Sequence, residues 1–222
     1  MKKFSLFFVA VITLMACSNA KKVVKEDTAK LANDGKGWVS LFDGKSLDGW
    51  KANEMPGTFS IEDGCIKVAG PRAHLFYDGP VMDHNFTNFE FKAKVKTEPG
   101  SNSGIYFHTA YQQVNFPDKG FEVQVNNSHT DWKRTGGLYD IKDTKEVYVK
   151  DDVWFTEYIR VEGKHVIVKI NDIVVTDWTQ PENFAPAKNH IGRIISSGTF
   201  AFQGHDPKSI VFFKDIMVKP LP

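Results

Sequence analysis

The sequence predicts an all-β domain, two antiparallel sheets packed as a sandwich or jelly roll. Three observations predict it. Short runs alternate apolar and polar residues along most of the chain, the period of a strand with one face in a core. Turn-forming groups separate the runs, Asp63-Gly64, Glu162-Gly163-Lys164 and Asn171-Asp172 among them. From Trp38 onward no amphipathic helix of ten or more residues can be drawn, so the strand-helix alternation of parallel-sheet folds is absent.

At the N-terminus, Lys2 and Lys3 precede an apolar run from Phe4 to Met15, closed by Leu14-Met15-Ala16-Cys17. A basic head, a run too short to span a bilayer as a mature helix and a small residue at the cut describe a secretory signal over residues 1–16. The cysteine after the cut resembles a bacterial lipoprotein signal, which makes Cys17 the expected lipidation site. The expected location is then the bacterial cell envelope, on the outer membrane or the periplasmic face, with the membrane as a partner through that lipid. Residues 17–36 are polar and charged without periodicity and read as the lipidated tether; residues 37–222 form the domain. With Cys17 consumed, Cys65 is the second of two cysteines and has no disulfide partner. It falls inside an apolar strand pattern, the place of a buried thiol.

The domain then reads as strands in succession. WVSLF leads into the turn-rich DGKSLDGW, and FSIE and CIKVAG flank Asp63-Gly64 as a hairpin. NFEFKAKV, residues 88–95, alternates Phe89, Phe91, Ala93 and Val95 against Glu90, Lys92 and Lys94, a solvated charged row in which Glu90 could also pair with a second carboxylate. WFTEYIRVEGKHVIVKIND forms a long hairpin, IVVTDW follows, and HIGRI, TFAFQGH and IVFFKDIMVKPL complete the chain. Of its 222 residues 41% are apolar, with 18 phenylalanines to fill a core. A formal net charge of +1 and no basic stripe exclude a nucleic-acid partner. No fixed-period repeat suggests a propeller or solenoid, and oligomeric state leaves no mark.

Residues 103–127 carry the chemistry. Ile105 and Phe107, then Phe121, Val123 and Val125, point one way; Tyr106 and His108, then Glu122 and Gln124, point the other. If the two strands pair, one solvent-facing surface presents a carboxylate, an amide, a phenol and an imidazole, with Glu122 and Gln124 about 7 Å apart. Such a face can hydrogen-bond a polyhydroxylated ligand and exchange protons with it.

LFDGKSLDGW (41–50), NSGIYFH (102–108), GFEVQV (120–125), TGGLY (135–139), and FAFQGH followed by VFFKDIMVKPL resemble the bacterial 3-keto-disaccharide hydrolase domain family over residues 37–221. The resemblance implies a concanavalin A-like lectin/glucanase jelly roll whose concave sheet forms a sugar cleft. It further implies a carbohydrate substrate, a glycoside oxidised to a ketone at carbon 3. Two positions depart from the family pattern: His108 stands where arginine is frequent, and Phe213-Lys214-Asp215-Ile216 replaces Phe-Arg-Asn-Ile.

Glu122, His108 and His205 are the expected catalytic groups, supplying acid and base; Lys214, as the family's basic position near the cleft, would help polarise the ketone. Gln124, Asn102, Tyr106, Tyr139, Gln203 and Trp132 join Lys214 as expected substrate-binding residues, Trp132 by stacking on a sugar face. No metal site is predicted from spacing, although His108, His205 and Glu122 leave room for a divalent ion. Two other functions fit the same face. A glucanase of the Glu-x-Asp-x-x-Glu kind would need carboxylates where this strand offers Gln124 and Asn127, and a lipid-tethered sugar-binding protein would need no catalysis.

Overall fold

The computed structural model describes Met1 and residues 35–222. The signal segment beyond Met1, Cys17 and almost all of the tether lie outside the described residues. The described strands all fall in the second of the chain's two units, Leu31–Pro222. The second carries thirteen strands: β1 (Val39–Ser40), β2 (Trp50–Ala52), β3 (Phe59–Glu62), β4 (Cys65–Ala69), β5 (Ala73–Tyr77), β6 (Phe89–Thr97), β7 (Ser103–Thr109), β8 (Phe121–Val125), β9 (Phe155–Glu162), β10 (His165–Ile170), β11 (Ile173–Thr179), β12 (Thr199–Gly204) and β13 (Ile210–Pro220). Among the described residues the helices are two short 3-10 turns, Pro56–Thr58 and Val81–His84.

Two antiparallel sheets result. The larger runs β11-β10-β9-β6-β13-β4-β3, with β1 also paired to β13; the smaller runs β2-β5-β12-β7-β8. The predicted sandwich is therefore the observed one. Alternation puts Phe89, Phe91, Ala93 and Val95 of β6 inward, opposite Ile105 and Phe107 of β7 and Phe200 and Phe202 of β12, all buried. Phenylalanine stacking closes the space: Phe202 lies 4.2 Å from Phe213 and Phe91 lies 4.6 Å from Phe200, ring centre to ring centre. One inward position of β9 breaks the pattern, because Glu157 sits fully buried with both carboxylate oxygens unpartnered. Burial alone pushes its carboxyl well above the ordinary range. Cys65 is buried and free, as its strand pattern predicts.

Two expectations fail at the level of the sheet. The outer face of the smaller sheet is not solvent-facing: every residue of β7, β8 and β12 is buried, because loops cover that side. HIGRI is not a strand. It lies in one of the covering loops, held where the Gly120 N–H donates to the Gly192 carbonyl at 3.0 Å.

Candidate functional site

The outer face of the smaller sheet holds a pocket of about 160 Å³. Its floor comes from adjacent strands, Tyr106 of β7, Glu122 and Gln124 of β8 and Gln203 of β12, with Asn102 just before β7. Register explains the gathering, since Tyr106 pairs with Glu122 across β7–β8 and with Ala201 across β7–β12. Gly104, facing Gln124 in register, leaves the gap into which Glu122 leans. A Cβ at Gly104 would stand 2.8 Å from Glu122 Cγ, so a side chain there would displace the Glu122 carboxyl from its place.

Glu122 is 5% exposed. Its Oε2 accepts a hydrogen bond from the Tyr106 hydroxyl at 2.8 Å and its Oε1 accepts one from Gln203 Nε2 at 3.0 Å. Burial pushes its carboxyl up to about 7, outweighing the Tyr106 hydrogen bond, the charge of Arg193, the Gln203 hydrogen bond and the charge of His205. A carboxyl balanced at neutral pH can both give and take a proton. Gln124 donates to Asn102 Oδ1 at 2.6 Å, and Asn102 takes its own N–H to Ser209 Oγ at 2.8 Å. These groups hold one another in place.

Loops build the walls. TGGLY runs beside β8: Gly136 N–H donates to the Gln124 carbonyl and Tyr139 N–H to the Glu122 carbonyl, each at 2.9 Å. That placement delivers the Tyr139 ring to the pocket, under the Lys133 ammonium at 3.6 Å from its centre. Arg193, 7% exposed, donates from Nη1 to the Tyr139 carbonyl at 2.9 Å and completes the wall with His190 and Asp131. At the rim, Phe116 presents an aromatic face that packs against His74 and His205.

His205 lines the same pocket, with Nδ1 2.9 Å from Asp206 Oδ2. Burial raises the Asp206 carboxyl, but hydrogen bonds from His205, Ser209 and the Lys208 N–H outweigh it and hold it at about 2. Asp206 is thus an ionised acceptor for the Nδ1 proton, which leaves His205 Nε2 as the nitrogen that can take up or release a second proton. His129 stands beside it, ring centres 5.6 Å apart. His129, His205 and Asp206 bring one ligand atom each within 4.8 Å of one another, a donor set of two imidazoles and a carboxylate that suits a divalent cation. The hydrogen-bonding conflicts with that use: His129 Nδ1 accepts from the Asp131 N–H at 3.0 Å and Asp206 is engaged by His205, so an ion would bind in exchange for these contacts. The sequence-based set of His108, His205 and Glu122 does not assemble.

His108 is the main correction. The β7–β12 register shifts between Thr199 and Ala201, and His108 takes a φ of 53°, a bulge that carries its ring off the Tyr106 face. The ring packs edge-on against Phe89, Nε2 donates to the Thr87 carbonyl at 2.8 Å and Nδ1 accepts from the Ser196 N–H at 3.3 Å. Burial lowers it to about 4, and neither nitrogen remains for substrate. Lys214 is the second correction: it lies on the larger sheet with its ammonium 4.1 Å from the Trp154 ring centre, away from the pocket. Trp132 is 48% exposed beside Lys133 and Lys145 and is not part of the pocket wall. Glu90 also lies on the larger sheet, beside Lys219, and forms no carboxylate pair with Glu122.

The sequence reading missed His74, Phe116, His129, Asp131, His190 and Arg193. Only Arg193 left a signal, an arginine between glycine and isoleucine in a segment read as a strand. His74 is fully buried beneath Tyr106 and Phe116 with neither ring nitrogen partnered, and burial drives it down to about 3.

The sequence pattern of the 3-keto-alpha-glucoside-1,2-lyase-like domain matches residues 37–219. The 3-keto-disaccharide hydrolase of Bacteroides thetaiotaomicron is 28% identical over a 251-position alignment covering 92% of this chain and 85% of the relative. A solved structure from Parabacteroides distasonis, a candidate glycosyl hydrolase, superposes with a TM-score of 0.73 at 21% identity, over 87% of this chain and 99% of its own. The carbohydrate binding module CBM66 from Bacillus subtilis gives 0.55 at 11% identity, over 77% and 95%. These two likenesses show a common fold.

Proposed function

Because the chain belongs to the 3-keto-alpha-glucoside-1,2-lyase-like domain family, we propose that it cleaves the glycosidic bond of a 3-keto glycoside in the Glu122 pocket. The one observation that carries this reading is a nearly buried carboxyl, poised to titrate near 7, on the floor of a pocket sized for about one sugar ring with a His-Asp pair at its edge. A ketone at carbon 3 acidifies the hydrogen on carbon 2. Glu122 takes that proton as carboxylate, the electrons form the carbon 1–carbon 2 double bond, and the bond from carbon 1 to the aglycone oxygen breaks. His205, protonated at Nε2 and steadied by Asp206, gives its proton to the departing oxygen. Arg193 offers a cation to the charge that develops on the ketone oxygen. Water adding across the resulting enone completes a net hydrolysis.

Gln203 and Tyr106 fix the carboxylate, while Phe116 supplies the aromatic rim that was expected of Trp132. The test is incubation with a 3-keto glucoside and its unoxidised parent in heavy water, followed by NMR. The expected result is cleavage of the keto substrate alone, with deuterium entering at carbon 2. Cleavage of neither, or of both equally, rejects the proposal. A sugar-binding protein without catalysis differs in one respect: Glu122→Gln keeps its affinity and there is no turnover to lose.

The envelope location belongs to the same proposal, with Cys17 as the lipidated residue. Metabolic labelling with a fatty acid should mark the wild-type chain and leave Cys17→Ser unmarked; label retained by the variant refutes the anchor.

A further inference from the structure

The outer face of the larger sheet, across the sandwich from the pocket, collects lysines that are scattered in sequence. Lys94 of β6 stands directly opposite Lys214 of β13, Lys96 opposite Phe212, and Phe212 opposite Lys67 of β4. On the other side Lys92 faces Tyr158 of β9, which faces Lys169 of β10. Like charges in register destabilise a strand pair. Direct ion pairs do not relieve them: Glu62 is paired with Lys67 and Glu90 with Lys219, and among the described residues Lys92, Lys94, Lys96, Lys169 and Lys214 join no ion pair.

Four of these five ammonium groups rest on rings. Lys92 lies 4.0 Å from the Trp38 ring centre, Lys214 4.1 Å from Trp154, Lys96 4.6 Å from Phe212 and Lys169 5.5 Å from Tyr158. A ring face orients a cation without cancelling its charge. Lys94 stands at the centre, and two hollows meet there. One, of about 550 Å³, runs past Lys92 and Lys94; the other, of about 400 Å³, runs from Lys94 to Lys169, and both include Thr156. Together they form a trough from β10 to β13, three strand spacings or about 14 Å across. Asp43 and Asp215 also line the first hollow and Asp172 the second; Asp43 is already engaged by the N–H groups of Lys45 and Ser46.

We propose that this trough binds a linear acidic polysaccharide, a chain bearing uronate or sulfate groups. The lysines would neutralise its anions, and Thr156, Ser40 and Asn171 would meet its hydroxyls. A lipid surface fits less well, because a flat membrane needs protruding basic tips and these ammonium groups lie down over rings beside a recess. The site is separate from the pocket and stands whether or not the pocket is catalytic.

The test titrates the full chain with polygalacturonate and with dextran sulfate, using neutral dextran and phosphatidylglycerol vesicles as comparisons. Binding to a polyanion that weakens with added salt, without binding to neutral dextran, is the expected result. Lys92→Gln/Lys94→Gln/Lys214→Gln should weaken it at least about tenfold, with the melting temperature maintained and turnover in the pocket unchanged. If that variant fails to fold, Lys96→Gln/Lys169→Gln serves in its place. Binding to neither polyanion, equal binding to neutral dextran, vesicle binding without polysaccharide binding, or undiminished binding by the folded variant overturns the proposal.

Discussion

Glu122 is costly to the fold at neutral pH and is the base of the proposed reaction, and the two effects separate by experiment. Its folded value of about 7 lies above the ordinary 4.5, so the neutral acid is the form the fold prefers. The stability it contributes is complete below about pH 4.5 and is lost as pH rises through 7, about 3 kcal/mol in all. Glu122→Gln should therefore flatten the loss of stability between weakly acid and weakly alkaline pH in urea titrations, while turnover falls by about a hundredfold or more. A variant that keeps turnover, or that shows the wild-type pH slope, contradicts this. Glu157 obeys the same sign with no function to offset it: both its oxygens are buried and unpartnered. Glu157→Met should stabilise the domain by about 1–3 kcal/mol at neutral pH, measured by denaturant unfolding, with activity unchanged. Period-two alternation did place Glu122, Gln124 and Tyr106 on one face, and those three were legible from the chain alone. His74 was not, because a histidine inside the apolar run AHLFY has no pattern that separates burial under a pocket from burial in a core.

At the scale of the element, the bulge in β7 decides which histidine reaches the pocket. Alternation assigns His108 to the Tyr106 face, and it would lie there if the strand were regular. One additional residue at positive φ turns the ring toward Phe89 and satisfies both nitrogens from the backbone. No local composition marks that bulge; it follows from how β12 pairs, which is settled by tertiary contacts. His108→Ala should thus cost about 2 kcal/mol of stability, since it strands the Thr87 carbonyl and the Ser196 N–H, and leave kcat within about twofold. His205→Ala should do the reverse, with turnover lost and the melting temperature little changed. Equal loss of turnover in both would restore His108 to the site. The covering loops were equally unreadable: TGGLY registers beside β8 through backbone bonds and through Thr135 Oγ1, which accepts from the Asn126 N–H and donates to Asn127 Oδ1, and HIGRI lies in a loop that leaves Ile191 and Ile194 exposed and buries Arg193 against the Tyr139 carbonyl.

At the scale of the molecule, the sandwich was legible because its signals are local: alternation, turn pairs and phenylalanine-rich inward faces all report strands. The make-up of its two outer faces was not, because both are assembled from strands distant in sequence, as Lys94 beside Lys214 and Gln203 beside Tyr106 show. Opposing titrations also act on the whole. His74, held at about 3, and His108, at about 4, favour their neutral forms because burial disfavours the charge. Their contribution is complete above about pH 6.5 and is lost as pH falls toward those values, opposite in sign to Glu122 and Glu157. The chain should accordingly unfold in acid even though its buried glutamates prefer it, and His74→Phe should lower the acid midpoint in a pH titration followed by circular dichroism; an unmoved midpoint argues against His74 as a source of acid lability. The central claim, that one sugar is held against Glu122 on the covered face of the smaller sheet, is tested most directly by a crystal structure of Glu122→Gln with a bound 3-keto glucoside. The ring should lie in the pocket with carbon 2 facing residue 122 and the aglycone oxygen toward His205; a ring elsewhere on the protein, or one in the pocket with carbon 2 turned away from residue 122, would contradict the account.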